Sequence, residues 1–234
     1  MSTAASLPAA RRATPAGWLL SRVVWRTRVV GAENMPADGP VIIAANHTGV
    51  IDGPIVFGVS PRPVHMMIKE SMFRGPIGSF LRWSGQIPVD RENGRPALAA
   101  ALSVLKRGDV VGIFPEGRRG RGDLSEVRGG VAWLALASGA PVVPAAVLGT
   151  RRTGEGSGRL PGFRRRLFVL IGEPVTMERA PGTTGKQAQE QYAQLVASAL
   201  KVTVEAAVEL SGIALPLDDP GAVAPGGGSV VQAD

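Results

Sequence analysis

The feature that most narrows the fold is a repeated unit: a short apolar run, a polar or glycine-proline break, then a helical pattern. VIIAAN at 41–46, VHMMIK at 64–69, DVVGIF at 109–114 and PVVPAAVL at 141–148 are such runs. Continuous apolar runs of this length fit strands buried on both faces, and helices between them make βαβ units with a largely parallel sheet. Asp52-Gly53-Pro54 reads as a helix start, with Asp52 able to cap and Pro54 tolerated in the first turn. Further helical patterns lie near 76–83, 95–106, 128–138 and 184–211, the last as one or two helices. Short strands are expected at 86–89 and 166–171, and Pro144 points to an edge or irregular strand. The expected fold is a single α/β domain over residues 31–211, a mostly parallel sheet flanked by helices. Residues 1–30 form an N-terminal segment. From Gly212 the composition turns to Gly, Pro, Ala and Asp, so 212–234 is expected to be a disordered tail.

At 234 residues the chain can bury a core without a disulfide or metal staple. Cysteine is absent, which excludes a thiol nucleophile, a disulfide and a Cys-ligated zinc site. His47 and His65 are the two histidines, too few for a multi-histidine centre, so no metal is expected. The net charge of +7 is mostly arginine, because Lys69, Lys106, Lys186 and Lys201 are the lysines. Guanidinium groups hold oxyanions bidentately, which brings phosphate groups, nucleic acid and anionic lipid into view. Aromatics make up only 5%, and no nucleic-acid-binding signature is visible, so nucleic acid is not an expected partner.

The longest uncharged stretch, 131–149, is broken by Gly139-Ala140-Pro141 and Pro144, so no segment reads as a transmembrane helix. Residues 1–17 lack the apolar run of a signal peptide. A cytoplasmic protein, peripheral on the inner face of the cell membrane, is the expectation. AGWLLSRVVWRTRVV at 16–30 sets tryptophans beside arginines at near-helical spacing. It fits a basic amphipathic helix at the headgroup boundary, and equally a helix packed on the domain by its apolar face. Its end, Arg26–Val30, is alternatively the start of the first strand.

Chemistry concentrates where the apolar runs end, and in open α/β sheets ligands sit at the carboxyl ends of strands. NHTGVID at 46–52 puts His47 directly after a strand and Asp52 at a helix start. A histidine so placed suits a general base, and a carboxylate within reach fixes its tautomer and stabilises the imidazolium. Taken alone, the same pair also describes a structural histidine beside a helix cap. GQIPVDR at 85–91 delivers Asp90 and Arg91 to a strand end, as an anion clamp or as a surface ion pair. In FPEGRRG at 114–120, Pro115 and Gly117 shape a turn, Glu116 supplies a buried acceptor, and Arg118, Arg119 and nearby Arg121 crowd positive charge. Arg128 extends that patch. A solvated basic loop is the plain alternative.

In order and spacing, these blocks together resemble the PlsC-type glycerolipid acyltransferase family, most nearly the 1-acyl-sn-glycerol-3-phosphate acyltransferases. NHTGVID is similar to the family's NHxxxxD block and GQIPVDR to its glycine-to-Asp-Arg block. FPEGRRG is similar to its FPEGTRS block, and PVVPAAVLG to its proline-containing apolar block. The resemblance spans roughly residues 28–175. It implies transfer of a fatty acyl group from acyl-CoA or acyl-carrier-protein to the free hydroxyl of lysophosphatidic acid, at a membrane surface, with no cofactor. It implies His47 as general base and Asp52 as its orienting partner. It further implies Lys69, Arg91, Glu116, Gly117 and Arg119 on the acceptor's side, with Arg128 extending the cationic patch. The chain departs from the pattern at Arg118 and Gly120, where the family usually has threonine and serine. That departure motivates a different lyso-lipid or glycolipid acceptor as the alternative. Some members carry an N-terminal two-helix docking module, for which only residues 16–30 stand available here.

Overall fold

The computed structural model describes residues 6–124, 127–176, 178 and 182–220. Seven strands form one sheet: β1 (Arg26–Val30), β2 (Val41–Ala45), β3 (Val64–Lys69), β4 (Ile87–Val89), β5 (Val110–Ile113), β6 (Val142–Leu148) and β7 (Arg166–Ile171). Their spatial order is β1-β7-β6-β2-β5-β3-β4. The strands from β2 to β6 are mutually parallel, whereas β7 runs antiparallel to β6 and β1 parallel to β7. The reversal has a simple cause. From β2 to β6 each successive strand is reached through a helical connection, but the 149–165 connection forms no helix, so the chain turns back beside the strand it has just left.

Helices α1 (Leu7–Leu19) and α2 (Asp52–Val59) share one face of the sheet, and α3 (Gly75–Trp83) follows β3. On the other face lie α4 (Arg95–Lys106), α5 (Gly130–Ser138) and α6 (Gly185–Ser211). Two apolar clusters result. One joins Ala13, Ile55 and Phe57 to Ile43 and Val143; the other joins Leu105, Leu134, Tyr192 and Leu200 to Ile42 and Phe168. Neighbouring residues Ile42 and Ile43 thus serve opposite faces, as the period-2 alternation of a strand requires. The expected 184–211 helical region is one helix, started by a capping box between Thr184 and Gln187.

Three expectations change. Residues 16–30 are not one helix: α1 begins at Leu7 and ends at Leu19, a wide turn covers Leu20–Val24, and Arg26–Val30 is β1. Pro144 does not mark an edge, because β6 lies between β7 and β2. The proline is tolerated because its carbonyl accepts from Gly172 N–H at 2.8 Å. Its missing N–H faces that same side, where the β6–β7 ladder, which ends at Ala145↔Ile171, has run out. Finally, the change of composition at Gly212 ends α6 but not the packing: Ile213 and Leu215 lie against the core, and Asp218 bonds Arg151. The remainder of the expected tail, 221–234, lies outside the described residues.

Helix α1 docks on α2 by backbone contact. A Cβ on Gly58 would run into the Gly17 carbonyl oxygen, and one on Gly17 would come within 2.7 Å of the Phe57 ring. Gly58→Ala is therefore expected to push the helices apart and cost about 1–3 kcal/mol by overpacking. Thermal unfolding should fall by roughly 2–4 °C per kcal/mol at this chain length.

Candidate active site

The site grows from the end of β2. Past Ala45 the ladder to β6 is continued by a side chain: buried Asn46 accepts from Val147 N–H at 2.7 Å through Oδ1 and donates to Val147 O at 3.2 Å through Nδ2. The backbone is thereby released, and His47 leaves the sheet at a fixed point. Its N–H donates to Glu116 Oε1 at 2.8 Å, and its carbonyl accepts from Gly120 N–H at 2.9 Å. Its ring stacks on Phe114, with centroids 4.1 Å apart and planes 14° apart.

Asp52, in the first turn of α2 and wholly buried, turns Oδ2 to three donors. These are His47 Nδ1 at 2.9 Å, Thr48 N–H at 2.7 Å and Gly49 N–H at 2.8 Å. A carboxylate oxygen accepts and does not donate, so the proton of the neutral ring sits on Nδ1, and Nε2 carries the lone pair. The ring remains 15% exposed, enough to meet a substrate atom. A Thr48–Thr150 hydroxyl contact of 2.9 Å ties the same loop to the end of β6.

The third block wraps this pair. Glu116 is 8% exposed and spends Oε1 on the His47 backbone, so it braces the histidine's loop. Burial pushes its carboxyl up to about 7, a rise that Asp123 and Asp52 reinforce and that the His47 N–H and Arg118 oppose. Gly117 has φ +68°, and a Cβ there would come within 2.5 Å of Arg128 Nε, so the Arg128 side chain packs directly over this backbone. Arg119 is half-buried. Its guanidinium is pulled below its ordinary value first by burial and then by Arg91, while Asp52 raises it, which sets Arg119 electrostatically between the His47–Asp52 pair and Arg91.

Lys69 and Arg91, at the ends of β3 and β4, line a cleft of about 660 Å³ together with Arg74 and Arg82. Glu70, Asp90 and Glu92 share its wall, so the cleft carries both signs of charge. The structure thus unites His47 with Asp52 and Glu116 and places Lys69 with Arg91, while Arg119 lies within electrostatic reach of Asp52 and Arg91. Arg128 stands apart from that cleft, over Gly117.

A family model described as Acyltransferase matches residues 26–148, more than half the chain. This chain belongs to the Acyltransferase family. It is 38% identical over 151 residues to the 1-acyl-sn-glycerol-3-phosphate acyltransferase of Bacillus subtilis (strain 168), covering 63% of this chain and 73% of that one. It is 35% identical over 127 residues to the enzyme of the same name from Borreliella burgdorferi, covering 52% and 51%. In fold it matches the crystal structure of the 1-acyl-sn-glycerophosphate acyltransferase PlsC from Thermotoga maritima, with TM-score 0.64 at 24% identity over 86% of this chain and 79% of that one. As an acyltransferase, the protein has its matched region ending at the tip of β6, where Thr150 meets Thr48.

Sequence reading missed the braces. Asn46 looked like part of a motif, yet it acts as a substitute for ladder hydrogen bonds. Arg151, 2% exposed, was not singled out at all. Its guanidinium reaches Gly120 O at 3.1 Å and Asp218 Oδ1 at 3.0 Å, joining the third block to a segment about a hundred residues later. No local pattern announces such a link, since its partners are distant in sequence. The departing residues are also accounted for: Arg118 pairs with Asp219 at 3.6 Å, and Gly120 is enclosed between His47 and Arg151.

Asp52→Asn removes the charge that favours an imidazolium while keeping the shape, so turnover should fall about 10²–10⁴-fold with the fold intact. Steady-state kinetics beside circular dichroism would test this. Glu116 gives a pH prediction. With its folded value near 7 and its ordinary value at 4.5, the folded state holds a proton that the unfolded state has lost between those limits. Stability therefore drops as pH rises through that window, by about 3 kcal/mol. Glu116→Gln should abolish that drop in urea unfolding compared at pH 4.5 and pH 8.

Proposed function

We propose that the protein transfers a fatty acyl group from acyl-CoA or acyl-carrier-protein to the free hydroxyl of 1-acyl-sn-glycerol-3-phosphate, forming phosphatidic acid for phospholipid biosynthesis. The observation that carries this reading is the buried His47–Asp52 pair, with Arg119 in electrostatic reach of Asp52 and of Arg91, which shares a cleft with Lys69. A base stands at one end and an anion clamp at the other, matching an acceptor with a hydroxyl and a phosphate. The two named bacterial relatives support the same acceptor.

In this mechanism Nε2 of His47 takes the hydroxyl proton as the oxygen attacks the thioester carbonyl carbon. Asp52 holds the ring and stabilises the imidazolium. The tetrahedral adduct collapses, the carbon–sulfur bond breaks, and the imidazolium returns its proton to the departing thiolate. A thioester is already activated, so base, positioning and electrostatic stabilisation suffice, with no cofactor besides the acyl donor. Lys69, Arg91 and Arg119 hold the acceptor's phosphate. Gly117 and Arg128 shape and charge the loop beside it, and Glu116 keeps His47 in place.

The proposed location is the cytoplasmic side, peripheral on the inner face of the membrane. Among the described residues no helix is long and apolar enough to cross a bilayer. Trp18, Leu19 and Val23 are exposed beside Arg22, which suits residues 1–30 to docking at the headgroup level.

Incubation of the purified protein with acyl-CoA or acyl-carrier-protein and a mixed panel of lyso-acceptors, read by lipid mass spectrometry, tests the assignment. Diacylated phosphatidic acid should dominate; turnover of other lyso-lipids alone would select the alternative acceptor. His47→Ala should lower turnover about 10²–10⁴-fold. Arg91→Ala should chiefly raise the acceptor Michaelis constant, because a charge-assisted contact is lost. An unchanged constant would remove Arg91 from its role.

A further inference from the structure

A second cleft, of about 430 Å³, lies at the starts of β1 and β7, and five arginines line it: Arg22, Arg26, Arg28, Arg164 and Arg166. No acidic residue lines it. Arg26 and Arg166 are direct register partners on adjacent parallel strands, whose backbones run about 4.8 Å apart. Arg28 shares their face two residues on, its guanidinium 5.8 Å from the Phe168 ring centre. Like charges set opposite one another on one sheet face are destabilising. Neighbouring arginines are treated differently. Arg165 is held at 2.6 and 2.7 Å by both oxygens of Glu155, whose carboxyl is held down at about 2, and Arg151 is matched by Asp218. Among the described residues none of the five makes an ion pair. Five guanidinium groups without an ion pair thus share one cleft that no carboxylate lines.

The loop beside this cleft supplies the second observation. Leu160 and Phe163 are 66% and 74% exposed. The loop does not drift: Trp25 Nε1 donates to Pro161 O at 3.2 Å, and Arg164 N–H donates to Val24 O at 2.7 Å. Arg164 takes φ +56°, a left-handed conformation that costs an arginine free energy and that these contacts enforce. Large apolar side chains are therefore held out in water on a loop pinned to Val24 and Trp25 and next to Arg164.

We propose that this cleft binds the phosphate headgroups of an anionic bilayer, with Leu160 and Phe163 entering the boundary between headgroups and acyl chains. Guanidinium forks match phosphate oxygens, and apolar side chains add burial that a soluble anion does not offer. The position suits the reaction. Phe168 pairs with Leu148 at the tip of β6, so the cleft lies at the same end of the sheet as His47. Three strand spacings, roughly 14 Å, separate β1 from β2. A bilayer seated there lies at the end of the molecule where a membrane-borne acceptor is consumed. The inference rests on the proposed acylation of a lipid, but not on which lipid.

The test separates docking from catalysis. Purified wild type, Arg26→Ala/Arg166→Ala and Leu160→Ser/Phe163→Ser would be sedimented with phosphatidylcholine vesicles, with or without 30 mol% phosphatidylglycerol (an amount on the order of natural anionic leaflets). Wild type should prefer the anionic vesicles. The arginine pair should weaken that binding about 25-fold, at about 5-fold per basic residue near the surface. The apolar pair should weaken binding to both vesicle types, and inorganic phosphate at equal phosphate concentration should compete poorly. Turnover of a short-chain lysophosphatidic acid dissolved below its micelle concentration should remain at wild-type level in both variants. Removing like charge should leave thermal unfolding unchanged or higher. Equal vesicle binding by all three proteins overturns the proposal, as does full competition by inorganic phosphate. So does loss, in the arginine pair, of binding to an acidic carrier protein while vesicle binding persists. Loss of turnover with the dissolved acceptor would count instead against the placement of the catalytic site.

Discussion

One buried oxygen organises the catalytic end of the sheet. Oδ2 of Asp52 receives the imidazole of His47 and two successive backbone amides. Each contact closes part of a single short loop on the first turn of α2. Because the carboxylate is fully buried, losing any of these donors would leave a buried acceptor short of partners. The loop is therefore held through one carboxylate oxygen, while Oδ1 of Asp52 is buried without a hydrogen-bond partner, and the imidazole is already oriented with its lone pair on Nε2. Structure and reactivity follow from the same hydrogen bonds.

Around this centre the sheet acts as a ruler. Strand β2 releases the chain at His47, β5 releases it at Phe114, and β3 and β4 release it at Lys69 and just before Arg91. Parallel pairing sets these exits side by side at nearly constant spacing. Blocks far apart in sequence are thus assembled by register alone. The Phe114 ring then fills the space under the imidazole, and Glu116 secures its backbone from below. The third block consequently includes a brace, Glu116, beside its cationic side chains.

Much of this was legible in the sequence, for physical reasons. Strands buried on both faces leave continuous apolar runs, so β2, β3, β5 and β6 stood out, and their polar ends identified the site. His47 and Asp52 are close along the chain, so their meeting could be read from spacing. Other features depend on long-range partners. The reversal of β7 and β1 follows from a connection without a helix, which composition does not disclose. Pro144 looked like an edge residue because the local rule knows nothing of where the neighbouring ladder stops. Glu116 reads as a buried acceptor, but only the fold reveals that its donor is the His47 amide.

Arg151 carries the longest consequence. Its guanidinium is sealed inside the molecule and takes its contacts from the third block and from the segment after α6. The loop that steadies the imidazole is therefore backed by residues that follow α6. A growing chain that has passed β6 already contains His47 and Asp52, but the wall behind them closes only once Asp218 arrives. The sheet alone accordingly leaves this wall open, and the stretch following α6 shuts it by docking on Arg151.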